Sequence, residues 1–238
     1  MKFAIIAAGE GSRLAQEGVS DPKPLVRLHG EPIVERLMRI FHQNGAEEIV
    51  IIVNQIHPST QDFVRLLKER HPDWHITLEV QTTPSSMHSF AVLSPHLKDA
   101  PFCLTTVDTI FREDDFTAYI QAFRQSLQAG YDGCMAVTDF VDDEKPLYVG
   151  TDNSMNINGF YDDFQPHLKY ISGGIYSLTP RALCTLEQCM LEGKSRMRNF
   201  QRALIADGLR LKAYCFPKIL DVDHASDIAK AEDFLSCR

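Results

Sequence analysis

Phe3-Ala4-Ile5-Ile6-Ala7-Ala8-Gly9-Glu10-Gly11-Ser12-Arg13-Leu14, followed by Asp21-Pro22-Lys23-Pro24-Leu25, joins an apolar strand to a glycine loop that carries two cations. Phe3 to Ala8 reads as a short buried strand. The glycines behind it let backbone N–H groups approach phosphate oxygens where a Cβ would stand in the way. Two commoner phosphate motifs are excluded. A Walker A loop ends in Gly-Lys-Ser/Thr, whereas Gly11 is followed by Ser12-Arg13, and a dinucleotide fingerprint needs Gly or Ala where Leu14 stands. What remains is Gly-x-Gly-x-Arg, a spacer, then Pro-Lys-Pro-Leu.

Outward from this loop, apolar runs of strand length alternate with stretches of helical period, the mark of a parallel sheet with crossover helices. The pattern predicts helices over 33–44, 60–71 and 114–128, strands over 48–54, 76–81, 102–107 and 133–138, and a partly helical 86–97 interrupted near Pro95. The rhythm then changes. Strand-like pieces at 147–151, 156–161 and 174–178, separated by turn residues such as Asp152-Asn153, predict a small antiparallel lobe. Helices return at 181–192 and 198–206, then a strand at 209–216 and a last helix at 226–235. The expected fold is α/β: an open, mostly parallel, Rossmann-like sheet flanked by helices.

The loop and its Pro-Lys-Pro-Leu partner resemble the signature of the nucleotidyltransferases that make NDP-sugars from an NTP and a sugar 1-phosphate. Relatives of that family act on phosphocholine or the molybdenum cofactor. The resemblance implies a GT-A-like nucleotidyltransferase fold in which Ala7, Ala8, Gly9, Gly11 and Ser12 bind the nucleotide. It implies that Arg13 reaches the leaving pyrophosphate and Lys23 the phosphates that react. One domain over 1–238 is expected, 1–140 forming mainly the nucleotide half and 141–238 the acceptor half.

In open parallel sheets ligands bind beyond the carboxyl ends of the strands, so Asp108, closing Cys103 to Val107, is a candidate site residue. Capping the next helix is the alternative. The resembling enzymes carry Gly-Asp there, and here Val107 precedes the acid. A magnesium ion needs more oxygen than one Asp offers beside the phosphates. Ile219-Leu220-Asp221-Val222-Asp223-His224-Ala225-Ser226-Asp227-Ile228 is similar to the family's Asp-Ile/Val-Asp-Thr-Pro-Glu-Asp-Leu. That alignment makes Asp223 the second Mg2+ ligand, with Asp221 facing the other way by strand alternation; starting the terminal helix is the alternative role for Asp223.

By the same resemblance Gln81 reads a nucleobase edge, unless it is a solvated loop residue. Pro84 to Ser89 lacks the glycine of the corresponding family segment, so the base stays open. Ser172-Gly173-Gly174-Ile175-Tyr176 resembles the family's Asn-x-Gly-Ile-Tyr strand, so Gly173 and Gly174 line an acceptor pocket or form a β-bulge. Glu144-Lys145-Pro146 copies a Glu-Lys-Pro motif whose lysine grips the sugar phosphate, but precedes the hairpin it should follow. Lys169 is therefore the acceptor candidate and Lys145 a solvated loop lysine. Tyr148, Phe160, Tyr161, Phe164 and Tyr170 offer an aromatic cage for choline, or ordinary strand residues.

Composition narrows the partners. With 238 residues, 44% apolar content and a net charge of -8, the chain can bury a sizeable core and lacks the cationic excess of a general nucleic-acid binder. No apolar run spans a bilayer and no leader precedes the first strand, so no membrane partner and a cytoplasmic location are expected. The six cysteines form no Cys-x-x-Cys pair and read as buried reduced thiols; no His or Cys spacing suggests zinc. Expected partners are an NTP and a sugar 1-phosphate, with Mg2+ as cofactor. The rivals are cytidylyl transfer to a non-sugar phosphate such as phosphocholine, and a nucleotide-sensing domain without turnover.

Overall fold

Strand β1 (Lys2–Ala7) sets the architecture, and the computed structural model describes it with the rest of residues 1–142 and 145–236. Glu144 of the Glu-Lys-Pro motif and Cys237 lie outside the described residues. Phe3, Ile5 and Ala7 face one side of the sheet and Ala4, Ile6 and Ala8 the other, all six buried, as period-two alternation requires of a strand covered on both faces. Beside it run β2 (Glu48–Val53), β3 (Ile76–Val80) and β4 (Phe102–Thr106), all parallel, in the order β4-β1-β2-β3.

The second half joins the same sheet by antiparallel pairing. Its strands are β5 (Gly133–Thr138), β6 (Tyr148–Thr151), β7 (Ile157–Tyr161), β8 (Tyr170–Leu178) and β9 (Leu211–Phe216). Strand β8 lies antiparallel to β4, carries the β6–β7 hairpin on its early residues and pairs with β5, which in turn runs parallel to β9. The expected antiparallel lobe is thus an extension of the main sheet through one long strand.

Among the described residues eight α-helices flank these strands: α1 (Ser12–Gln16), α2 (Ile33–Gln43), α3 (Pro58–Arg70), α4 (Ser86–Leu93), α5 (Glu113–Gln128), α6 (Ala182–Leu191), α7 (Met197–Ala206) and α8 (Ala225–Ser236). On the Phe3 side, α2, α3, α5 and α8 contribute Leu37, Phe41, Val64, Phe116 and Phe234, and the Phe3 and Phe41 rings lie 4.6 Å apart. On the Ala4 side, α4, α6 and α7 contribute Phe90, Leu186 and Phe200. Each fully buried Phe is worth about 2–3 kcal/mol of transfer free energy. None of the described helices is long and apolar enough to cross a membrane.

The structure departs from the sequence reading in a few places. Strand β8 begins at Tyr170 rather than Gly174, because Ser172-Gly173-Gly174 hides its continuity; the register with β5 shifts between Ser172 and Tyr176, a bulge in which Gly174 takes φ +73°. Helix α1 and the 3-10 turn at Lys23–Leu25 are too short for any periodic signal. Cys103, Cys134 and Cys189 are buried, but Cys184 and Cys215 are exposed, contrary to the expectation of buried thiols.

Candidate active site

The glycine loop emerges from β1 with its two glycines in different roles. Gly11 has φ +64°, where L side chains are strained, and a Cβ on it would lie 3.4 Å from the Lys23 Cβ, so the turn brings loop and lysine together. At Gly9 a Cβ would meet nothing within 4 Å. Asn54, 2% exposed at the end of β2, donates from Nδ2 to the Gly9 carbonyl at 2.9 Å and accepts the His57 N–H at 3.1 Å. His57 Nε2 lies 3.2 Å from the Glu10 carbonyl oxygen. Because a trans peptide sets C=O and the next N–H in opposite directions, these contacts turn the Glu10 and Gly11 amides away from β2. Nothing in the sequence marked Asn54; the usable signal is a polar residue closing an otherwise all-apolar strand.

Lys23 stands between the two acids that sequence pointed to. Its ammonium donates to Asp108 Oδ2 at 2.7 Å and to Asp223 Oδ1 at 2.6 Å, while Arg13 Nη1 lies 3.1 Å from Asp223 Oδ2. Burial alone would lower the Lys23 ammonium, but Asp108 and Asp223 outweigh it and hold the group above its ordinary value. At neutral pH it is a fixed cation.

A two-residue ribbon makes the meeting possible. Thr109–Ile110 pairs antiparallel with Leu220–Asp221, and the Val222 N–H donates to the Asp108 carbonyl at 3.1 Å, which carries Asp223 to the tip of β4. Neither acid serves as a helix cap. Helix α8 starts instead over Asp227, whose Oδ2 accepts the Asp223 and His224 amides at 3.2 and 2.8 Å. Glu17, closing α1, accepts from the Ala225 N–H and lies 2.6 Å from His224 Nδ1, tying the helix that bears Arg13 to the start of α8. The hydrogen bond to Glu17 raises the His224 imidazole above its ordinary value and lowers the Glu17 carboxyl.

Two cavities adjoin this cluster. One, of about 480 Å³, is lined by Ala7 to Gly11, Lys23, Asp108 and the hydroxyl residues Thr82, Thr83, Ser85 and Ser86. The other, of about 430 Å³, is lined by Arg13, Asp221, Asp223 and Asp227 together with Lys145, Ser172, Gly173 and Phe140. Lys23 therefore touches an acid from each.

Ala7, Ala8, Gly9, Gly11, Arg13, Lys23, Asp108, Asp223 and Gly173 converge on these cavities. Others do not. Ser12 is the first residue of α1 and lines neither cavity; Gln81 is exposed outside the first, whose wall at that point is Thr82 to Ser86. Gly174 serves the bulge, packed against Thr109. Lys169 is exposed with its Nζ 5.3 Å from the Tyr170 ring, and Lys145, read from sequence as a solvated loop lysine, lines the second cavity in its place. Asp221 lines that cavity together with Asp223, contrary to the expectation that it faces away: the ribbon ends at Asp221, so strand alternation does not extend to Asp223.

The donor set suits a small divalent cation. Two carboxylates converge on one point, and an ion such as Mg2+ takes one or two protein carboxylates and fills its remaining positions from water and substrate phosphates. Among the described residues no group of three or more His, Cys, Asp or Glu is gathered for a metal ion. Burial pushes the Cys103 and Cys134 thiols up to about 12, which removes both as nucleophiles.

Comparison with known proteins gives the family and the fold. Residues 3–206 match the model of the MobA-like NTP transferase domain. The chain is 30% identical over 115 residues to the bifunctional IPC transferase and DIPP synthase of Thermococcus kodakarensis, covering 48% of this chain and 24% of that protein. It is 25% identical over 161 residues to the probable glucose-1-phosphate cytidylyltransferase of Bacillus subtilis, covering 68% of this chain and 54% of that one. The match thus spans about a quarter to a half of these relatives' lengths. The fold is shared with the CTP:phosphocholine cytidylyltransferase of Streptococcus pneumoniae at a TM-score of 0.77 and 18% identity, covering 99% of both chains.

Proposed function

Because this chain belongs to the MobA-like NTP transferase domain family, we propose that it transfers a nucleoside monophosphate from an NTP to a sugar 1-phosphate or a similar polyhydroxylated phosphomonoester, releasing pyrophosphate. The observation that carries the reading is Lys23, hydrogen-bonded at once to Asp108 on the wall of one cavity and Asp223 on the wall of the other. Two substrates seated in those cavities would meet at that point.

In this account the triphosphate lies against the Ala7 to Gly11 backbone, Arg13 faces the leaving pyrophosphate, and Lys23 exchanges its carboxylate partners for the phosphates that react. An acceptor phosphate oxygen attacks the α-phosphorus as the bond to the bridging oxygen breaks. No protein base is required, since a phosphate nucleophile is already ionised. Asp108 and Asp223 would hold the divalent ion that nucleotidyltransferases generally use, here Mg2+, whose chemistry is to neutralise charge on the phosphates. Lys145, on the wall of the second cavity, would meet the acceptor phosphate. The retained cations and acids favour turnover over a sensing role. Thr82, Thr83, Ser85 and Ser86, which line the first cavity where Gln81 does not, would meet the base.

Pyrophosphate release measured for four NTPs against sugar 1-phosphates, polyol phosphates and phosphocholine tests the proposal. A single NTP and a hydroxylated acceptor should stand out, whereas tight NTP binding without release from any acceptor would establish the sensing role instead. Asn54→Asp tests the loop: placing a carboxylate against the Gly9 carbonyl removes a buried bond at a cost of about 1–3 kcal/mol, so KM for the NTP should rise about 10- to 100-fold. The acceptor KM should stay near wild type, and the melting temperature, measured alongside, separates this from unfolding.

A further inference from the structure

Phe140 is the one phenyl or phenol ring lining the acceptor-side cavity among the described residues, and it is 36% exposed. Its backbone is fixed, because the Phe140 N–H donates to Oγ1 of the buried Thr138 at 3.1 Å. A cation already lies over its ring. Lys218 Nζ is 4.4 Å from the Phe140 centroid and 5.3 Å from that of Phe234, yet Lys218 itself does not line the cavity.

None of Tyr148, Phe160, Tyr161, Phe164 and Tyr170, the rings that could have formed a cage around a cation, lines this cavity. Tyr148 and Phe164 pack on each other with centroids 5.7 Å apart, Phe160 is buried, and Tyr170 carries the ammonium of Lys169. The carboxylates of the cavity are also engaged. Asp223 faces Lys23 and Arg13, Asp227 accepts from Lys230 and two amides, Asp142 lies 3.8 Å from Lys230, and Asp221 is not free.

We propose that Lys218 is a specificity residue that sets the charge of the acceptor at Phe140. A ring attracts a cation through the negative potential of its face. With Lys218 already over the ring, a quaternary ammonium brought to Phe140 meets a like charge nearby, while an uncharged group meets only apolar surface. Phe140 is thereby a platform for the neutral part of an acceptor and a poor receptor for choline. This rests on the transferase reading above and goes beyond it by naming the residue that separates neutral from cationic phosphates.

The test compares phosphocholine with its uncharged carbon isostere, 3,3-dimethylbutyl phosphate, which differs only in the charge. Dissociation constants by calorimetry and kcat/KM by pyrophosphate release are measured for wild type, Lys218→Met, Lys218→Arg and Phe140→Ala. Wild type should favour the isostere by about 10-fold, the value expected for one screened charge pair together with a lost cation–π contact. Lys218→Met should bring the ratio close to one, Lys218→Arg should keep it, and Phe140→Ala should weaken the isostere. Equal or better binding of phosphocholine by wild type, or a ratio unmoved by Lys218→Met, overturns the inference. Absence of pyrophosphate with every acceptor would overturn the transferase reading alone, because the charge preference is still read from binding.

Discussion

Lys23→Met is expected to lower pyrophosphate release by about 10²- to 10³-fold at saturating substrates, the range for removing one preorganised donor from a charged transition state. The ammonium is fixed on its 3-10 turn between Pro22 and Pro24 and points between two acids, so its charge stands ready where phosphate charge would develop. The variant should fold. Lys23 belongs to neither buried core, and the circular dichroism spectrum should match wild type. Its melting temperature should fall by a few degrees, because Asp108 and Asp223 then lose the ammonium between them and only Arg13 still reaches Asp223, and added Mg2+ or Mn2+ should recover part of the loss. In wild type the Lys23 pKa is raised on folding, so its contribution is complete below the ordinary lysine value and disappears only as pH climbs through the higher folded value. No dependence on Lys23 titration is therefore expected across neutral pH. Near wild-type release by Lys23→Met would remove the lysine from the reaction.

The second large effect concerns the acids. Asp108→Asn and Asp223→Asn should each reduce kcat by about 10²-fold or more, and the double variant should fall far short of the product of the two, because groups that act as one unit are not additive. Each amide keeps the volume and one acceptor but gives up the charge, which both Lys23 and a divalent ion require. The requirement for divalent ion should also shift, with both variants needing higher concentrations for half-maximal rate. Fully multiplicative losses would mean that the two carboxylates work separately.

The strands and long helices were legible because their signals are periodic: β1 and β2 are largely apolar runs buried on two faces, and α2 and α5 are amphipathic. The loop, Lys23, Asp108 and Asp223 were legible for another reason, since glycine, charge and strand-end position each restrict what a residue can do. What sequence did not supply was three-dimensional pairing. The ribbon between Thr109–Ile110 and Leu220–Asp221 is two residues long on each side and leaves no periodic trace, although it is what unites the two acids. Asn54 and Glu17 act through contacts to backbone, which residue type alone does not announce. Which of Lys145 and Lys169 adjoins the second cavity was not legible either, because proximity to it depends on how the surrounding strands pair rather than on motif order along the chain.

The central claim is that Arg13, Lys23, Asp108 and Asp223 form one seat for triphosphate and metal between the two cavities. A crystal structure with an NTP analogue unable to release pyrophosphate, in the presence of Mg2+, tests it most directly. The triphosphate should lie along Ala7 to Gly11, with the α-phosphate within hydrogen-bonding reach of Lys23 and the ion bound by both Asp108 and Asp223. A triphosphate seated elsewhere, or an ion held without either acid, would contradict it.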